Sequence, residues 1–443
     1  MGQISEARLD VVRGLIAQAP DAAVRNLLRA LSADGGHDEG LTSIQHLVEA
    51  EAADRRARNM TFAPIAPLCC IPGPFTRLSF PPRTLALIWK AAKAETPDQV
   101  AEAKALAANW RPENSPAVFD AICTRTAERL RTGGGAFEPV VESANAGGGA
   151  EALAGCLDIA EVTRRALNQM PEWLGRMTSE KAAKVRLAYR DAVAVAEDAG
   201  PRLFEMLAAH LSEPWLILRV ISGVMDKPAE GYLSASEHAS FPERVLDDID
   251  RRLAELSAFK AQAGRDAAMT AAQCVQIATT EVSEVEQSIA LTPEGIWGKR
   301  LARQRKALAA TIEAHLRAVD AAVGQALPLQ TVRMGPRSRR GVPKLVQDPD
   351  PALKETASAL LIFVAEVRAS AAVGGFASAR AKALEVVDAR LESYVEDLLE
   401  EIRGGESPDL PRARAYLEVA AELCGLARDE KAAQIVRRRA AAA

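Results

Sequence analysis

The sequence contains few aromatic residues. Phe, Trp and Tyr together make up 4% of the 443 residues, and no segment is rich in the β-branched and aromatic side chains that favour strands. Alanine, the strongest helix former, is abundant instead. We therefore predict an all-α protein built from multi-helical bundles. The accompanying excess of Arg over Lys is typical of a GC-rich bacterial genome.

The chain also lacks the features of secreted, membrane-spanning and generally basic proteins. Its start, MGQISEARLD, contains acids and no apolar signal-peptide core, and no apolar stretch reaches the roughly 18 residues that span a bilayer. The net charge of −4 argues against general attraction to nucleic acid or anionic lipid. Six cysteines without C-x-x-C spacing are typical of reduced thiols. We expect a cytoplasmic protein without a transmembrane segment.

Motifs for catalysis, metal binding and cofactor binding are absent as well. The five histidines are isolated, and none has the H-E-x-x-H spacing of a zinc site. No nucleophile elbow, kinase motif or dinucleotide fingerprint is present. The string GGGA occurs at 133–136 and 147–150 without the Lys-Ser or Lys-Thr of a phosphate-binding loop. We therefore predict no catalytic, metal or cofactor-binding residue and no cofactor, and favour a function other than catalysis.

Helix-capping signals, prolines and glycines divide the chain into regions. Thr96-Pro97-Asp98-Gln99 and Ser240-Phe241-Pro242-Glu243 fit the capping box that begins a helix. Segment 62–82 has six prolines, so it cannot be helical, and its three phenylalanines predict an apolar strap across its own helices. A docking segment for a partner is the alternative. The predicted regions are an N-terminal helical domain (1–131), a flexible Gly-rich linker (132–155), a middle helical region (156–241), a long helical hairpin (242–330), a basic loop (331–351) and a C-terminal helical domain (352–443).

The predicted hairpin follows from the spacing of its apolar residues. Between Leu246 and Leu327 these residues recur three and four positions apart, which is the pattern of a coiled-coil seam. We predict a long antiparallel, coiled-coil-like hairpin that turns near 291–294, although an ordinary bundle would show the same spacing. In this register Arg305 would lie close to Glu281, and Arg300 close to Glu286.

The C-terminal region ends in a further predicted helical hairpin. Between Ala413 and Arg439 the sequence has Tyr416, an Ala-rich first helix, a short turn and then Lys431-Ala432-Ala433. In these features it resembles the last hairpin of a tetratricopeptide array. The 34-residue period and the signature Trp and Gly-Tyr positions are missing. The resemblance therefore implies a helix pair and no particular activity.

Positive charge is concentrated in one segment. From Lys299 to Lys344 there are eleven basic residues and two acidic ones. The first basic group lies on the helix face opposite the apolar seam and is most simply a solvated face. The second lies in the non-helical sequence VRMGPRSRRGVPK, where arginines could bind phosphates or carboxylates through two hydrogen bonds, or remain solvated. The resulting candidate contact surface comprises Lys299, Arg303, Lys306, Arg333, Arg337, Arg339, Arg340 and Lys344.

A helix predicted over 377–403 contains an acidic stripe. The stripe could receive the basic loop of its own chain or of a second copy, and it could hold Ca²⁺ or Mg²⁺ weakly, although a solvated face is the simpler interpretation. Its members are Glu385, Asp388, Glu392, Glu396 and Glu400.

These observations favour a helical interaction or scaffold protein, an adaptor that acts through protein–protein contacts. We expect a protein partner or self-association. The first alternative is a binder of nucleic acid, anionic lipid or a phosphorylated ligand through the Arg-rich loop 333–344. The second is an enzyme whose site has no recognisable motif.

Overall fold

Helices account for almost all regular structure in this chain. The computed structural model describes residues 6–34, 39–111, 114–333, 339–405 and 409–443, and its elements in these ranges confirm the all-α class. None of the helices described is both long enough and apolar enough to cross a bilayer. The chain divides into two units, Met1–Lys227 and Pro228–Ala443. This boundary lies inside the predicted middle region 156–241, so that region is not a single unit.

The first unit contains twelve of the described helices, and α1 to α3 share a small core of their own. Ile16, Val24 and Val48 are buried together, one from each of these helices. The helices are α1 (Glu6–Gln18), α2 (Asp21–Asp34), α3 (Glu39–Thr61), α4 (Thr84–Glu95), α5 (Pro97–Ala108), α6 (Ala117–Thr132), α7 (Glu138–Asn145), α8 (Ala150–Asp158), α9 (Ala160–Trp173), α10 (Ser179–Val195), α11 (Ala199–Ala209) and α12 (Ile217–Met225).

The proline-rich segment 62–82 packs within this first unit. Leu68 and Phe80 are buried, and the Phe80 amide donates a 2.8 Å hydrogen bond to the Leu68 carbonyl. The Phe75 ring lies 6.2 Å from the Trp215 ring, centroid to centroid. Because a free apolar loop would expose these side chains to water, burial against neighbouring helices stabilises the segment.

The prediction of a flexible linker at 132–155 is wrong, because these residues form α7, α8 and a one-turn 3₁₀ helix. The second glycine string packs closely against residues 78–80. The Gly148 amide donates a 2.8 Å hydrogen bond to the Ser79 carbonyl. A Cβ atom at Gly148 would lie 2.6 Å from Leu78 Cδ1, and one at Gly147 would lie 2.7 Å from the Ser79 carbonyl oxygen. Glycine is present here to admit a neighbouring backbone rather than to provide flexibility.

The second unit is a helical bundle with one β-hairpin among its described residues. Its elements are α13 (Glu230–Ser234), α14 (Ser240–Ala258), α15 (Arg265–Ser288), α16 (Ile296–Ala326), β1 (Leu329–Arg333), β2 (Arg339–Pro343), α17 (Pro351–Glu366), α18 (Ala377–Arg403), α19 (Leu410–Ala427) and α20 (Glu430–Ala442).

The apolar seam of the predicted hairpin is spread over α14, α15 and α16. The connection between α15 and α16 spans 289–295 and includes the predicted turn, but α17 packs against both helices. The seam therefore faces a bundle core, which is the alternative that the spacing left open. Both predicted ion pairs are wrong, because Arg305 binds Glu286 at 2.5 Å and Arg300 binds Asp247 and Asp250 of α14.

The predicted irregular loop after α16 contains a β-hairpin. Leu329 pairs with Pro343, Thr331 with Gly341 and Arg333 with Arg339 in an antiparallel register. The β-branched residues Thr331, Val332 and Val342 favour strands, but the surrounding glycines and prolines concealed that signal in the sequence.

Helices α19 and α20 form the C-terminal helix pair that the sequence implied. Asp429 caps α20, since its carboxylate accepts a 2.9 Å hydrogen bond from the Ala432 amide.

Candidate functional site

The residues of the predicted contact surface fall into two separate groups. Lys299, Arg303 and Lys306 are exposed on α16, and Lys299 Nζ lies 2.9 Å from Glu294 Oε2. At 1.5 Å per residue, Lys306 is about 30 Å along the helix from Ala326, after which the β-hairpin begins. The two groups therefore do not combine into one basic patch.

In the group on the β-hairpin, Arg340 is already bound by carboxylates of the same chain. Arg340 Nη2 lies 2.5 Å from Asp397 Oδ1 and 3.0 Å from Glu400 Oε2, both on α18. Lys344 is exposed and has no carboxylate within 4 Å among the described residues. Arg337 lies outside the described residues, as do the side chains of Arg333 and Arg339, whose backbone forms the strand ends.

The acidic stripe of α18 is largely occupied by arginines of the C-terminal helix pair. Arg428 binds Asp388 and Glu392, each at 2.9 Å. Arg439 binds Glu396 at 2.6 Å, and this hydrogen bond lowers the pKa of Glu396. Glu400 is the member of the stripe that contacts the β-hairpin. The stripe thus holds its own unit together.

Histidines and metal-binding groups form no cluster in the described ranges. His315 packs in a cluster with Phe259 and Phe363, whose ring centroids lie 5.1 and 5.4 Å from its own and 5.7 Å from each other, and burial lowers the pKa of His315. His210 Nε2 contacts the Pro64 carbonyl at 3.3 Å, and burial lowers its pKa as well. Among the described residues, no three His, Cys, Asp or Glu side chains are placed to hold a metal ion together.

Two buried carboxyl groups meet between α14 and α15. Glu281 has no exposed surface, and Asp248 is 2% exposed. Burial, followed by the neighbouring Asp248, raises the pKa of Glu281 to about 9, so Glu281 keeps its proton at neutral pH. Arg252 Nε binds Asp248 at 2.7 Å and lies 3.8 Å from Glu281. A substrate could not reach Glu281 without opening the helix pair.

A third buried carboxylate, Glu230, holds the start of α16. Its oxygens accept hydrogen bonds from the amides of Trp297 at 2.7 Å and Thr292 at 3.0 Å. An anion is favoured at this position because amides at the start of a helix have no carbonyl partner within the helix, and because the positive end of the helix dipole lies there. The carboxylate occupies the space that a side chain at Gly295 would need, because a Cβ atom there would lie 2.1 Å from Glu230 Oε2.

The described surface also contains an apolar groove between α2 and α3, with a volume of about 460 Å³. Apolar side chains from both helices line it, together with the exposed Arg25 and Arg56 at its edge and the buried Arg55. The lining residues are Asp21, Val24, Arg25, Leu28, Ala52, Arg55, Arg56, Asn59, Met60 and Ala63.

Arg55, which lines this groove, is held in place by several hydrogen bonds. Its guanidinium donates to the carbonyls of Ile16 at 2.8 Å and Ala19 at 2.7 Å, which end α1. It also binds Asp21 at 2.9 Å. Hydrogen bonds from Asn59 and Arg58 outweigh burial and lower the pKa of Asp21. The contacts of Arg55 therefore fix α1, α2 and α3 to one another.

The sequence indicated the α2 side of the groove but not its α3 side. Val24 and Leu28 belong to an apolar stripe that helical spacing reveals on α2. The α3 side combines Ala52 and Met60 with Arg55, Arg56 and Asn59, so it shows no continuous apolar stripe. Only the pairing of the two helices brings these residues together.

No known protein family, curated protein or solved structure matches this chain.

Proposed function

We propose that the protein is a helical adaptor or scaffold that acts through protein–protein contacts, and that the α2–α3 groove is one of its contact surfaces. The observation that carries the proposal is the open apolar groove, whose floor includes Leu28, Ala52 and Met60. Apolar centres rimmed by arginine are typical of protein interfaces, and grooves between helices commonly receive a further helix.

Site-specific photo-crosslinking in cells of the source organism tests this proposal. A photoreactive amino acid at position 60 lies in the groove, and one at Ala53, exposed on the same helix, is the matched control. We expect discrete protein adducts from position 60 that disappear when Ala52→Trp fills the groove. Adducts of equal yield at both positions, or none at position 60, would count against the groove as a contact surface.

A second candidate function rests on the β-hairpin. The major groove of DNA admits a two-stranded β-ribbon, and three arginines occupy strand positions here, followed by Lys344. Arg340 already binds Asp397 and Glu400, which reduces the charge that it offers to phosphates.

Titration of labelled duplex DNA, single-stranded RNA and anionic vesicles over a range of salt concentrations tests the second candidate. Binding should weaken steeply with salt and be lost in the combined variant Arg333→Ala, Arg339→Ala and Lys344→Ala. The control variant Lys299→Ala, Arg303→Ala and Lys306→Ala removes equal charge from α16. An absence of binding at low salt, or equal loss in both variants, would exclude the β-hairpin as the binding element.

A further inference from the structure

We infer that the α2–α3 groove receives an amphipathic helix of a partner protein whose apolar stripe is flanked by carboxylates. This inference rests on the proposed function and adds the class of partner. It follows from the shape of the groove and from the charges on its rim.

The shape of the groove matches a helix. The α2 residues that line it, 21, 24, 25 and 28, have the spacing of one helical face, and so do 52, 55, 56, 59, 60 and 63 along α3 and its end. Within α3 the lining extends from position 52 to position 60, about 12 Å at 1.5 Å per residue, which is a little over two turns of a helix, and Ala63 lies just beyond the end of α3. Ile16 of α1 packs with Val24 and Val48, and α1 contributes none of the described residues that line the groove.

The charges on the rim select an acidic partner. The carboxylate of Asp21 is already bound by Arg58 at 2.6 Å and by Arg55 at 2.9 Å. Arg25 and Arg56 are exposed, and neither has a carboxylate within 4 Å among the described residues. A partner with flanking Glu or Asp residues would complement this rim, whereas a basic helix would be repelled.

A second copy of this chain is a poorer occupant. Helix α1 exposes Val11 and Leu15, 63% and 65% exposed, which makes it a plausible apolar helix to insert. Arg8 lies on the same face at i, i+3 and i+7 spacing, so α1 would bring a cation to a rim that already carries two. Charge therefore favours a different protein over self-association.

The groove is also prepared for binding before a partner arrives. Arg55 and its partners fix α2 to α3, so binding would order few additional backbone groups of this chain. Preorganisation of this kind increases affinity because less conformational entropy is lost on association.

The experiment uses the full chain and two synthetic stapled helices that share one leucine stripe. Their flanking positions are Glu in one peptide and Lys in the other. Fluorescence anisotropy should show that the wild type binds the Glu peptide at least about tenfold more tightly than the Lys peptide. Arg25→Glu with Arg56→Glu should reverse this preference. Arg29→Glu, an exposed charge reversal on α2 outside the groove lining, should leave the preference unchanged.

Equal binding of both peptides, no binding of either, or an unchanged preference in the Arg25/Arg56 variant would overturn the inference. Circular dichroism and urea unfolding establish that each variant is folded. If the peptides fail while the position-60 cross-link to another protein persists, the proposed function stands without this class of partner. If the cross-linked protein is a second copy of this chain, the acidic partner helix is excluded and the contact is self-association.

Discussion

At the scale of single residues, the second unit contains a carboxyl group that makes its stability depend on pH. Burial and the neighbouring Asp248 raise the pKa of Glu281 in the folded chain to about 9, from an ordinary value of 4.5. Between these two values the folded state holds a proton that the unfolded state has released. The free energy of unfolding therefore falls as pH rises through this range, and the stabilisation is complete only below the unfolded pKa.

Glu281→Gln should remove this dependence, since glutamine is neutral at every pH. Relative to the wild type, we expect the variant to gain stability steadily from pH 5 to pH 9. Urea unfolding of both proteins across this range measures the difference, which cancels the contributions of the histidines. Glu286→Gln, at an exposed position of the same helix, should follow the wild-type curve. Parallel curves for Glu281→Gln and the wild type would show that Glu281 is ionised in the folded chain.

At the scale of secondary-structure elements, Glu230 stabilises the first turn of α16 from a position 67 residues before Trp297, whose amide it binds. We expect Glu230→Ala to lower the free energy of unfolding by about 2–3 kcal/mol, because buried amides lose a charged acceptor. Glu294→Ala, whose side chain is 88% exposed, should change it by less than about 0.5 kcal/mol. Chemical denaturation measures both, and similar losses in the two variants would contradict the cap.

Arg55 has a comparable role in the first unit. Arg55→Ala leaves the carbonyls at the end of α1 and the carboxylate of Asp21 without their buried donor. We expect the free energy of unfolding to fall by about 3 kcal/mol. Relative to the wild type, amide exchange should accelerate more along α1 than in α4 to α8. Arg29→Ala on the exposed face of α2 is the control. Uniform exchange throughout the unit would mean that Arg55 does not hold α1 specifically.

The sequence predicted the helical elements better than the contacts between them. The spacing of Leu301, Leu308 and Leu316 identified the face of α16 that is buried, but not the helix that covers it. A signal for that helix was present. Residues 357–364 of α17 are all buried, and a helix that is apolar on every side must be surrounded by others.

The site was less predictable than the fold because it depends on tertiary pairing. The sequence has a concentration of positive charge from Lys299 to Lys344. In the structure, however, the length of α16 separates its two groups, and Arg340 is bound by Asp397 and Glu400. In contrast, Arg25 and Arg56 are unremarkable in sequence. They become neighbours of one groove only when α2 packs on α3.

At the scale of the whole molecule, the boundary after Lys227 predicts two fragments that fold separately. Fragments 1–227 and 228–443 should each unfold cooperatively on heating, because each contains its own buried core. Fragment 242–443, cut at the boundary that the sequence suggested, lacks Glu230 and should melt at a lower temperature than 228–443. Circular dichroism measures all three. A non-cooperative melt of 228–443, or equal melting of the two C-terminal fragments, would contradict the boundary.

The packing of Gly147 and Gly148 against residues 78–80 limits how the sequence can change among homologous proteins. A side chain at either glycine would collide with the strap, so substitution there requires compensating change around Ser79. At Gly133 and Gly134 a Cβ atom would meet nothing within 4 Å, and only the positive φ angles of 65° and 78° favour glycine. These φ angles are combined with ψ angles of −169° and 168°, a backbone conformation that essentially only glycine adopts. Homologous proteins should therefore keep both strings, the second because of close packing and the first because of its backbone conformation.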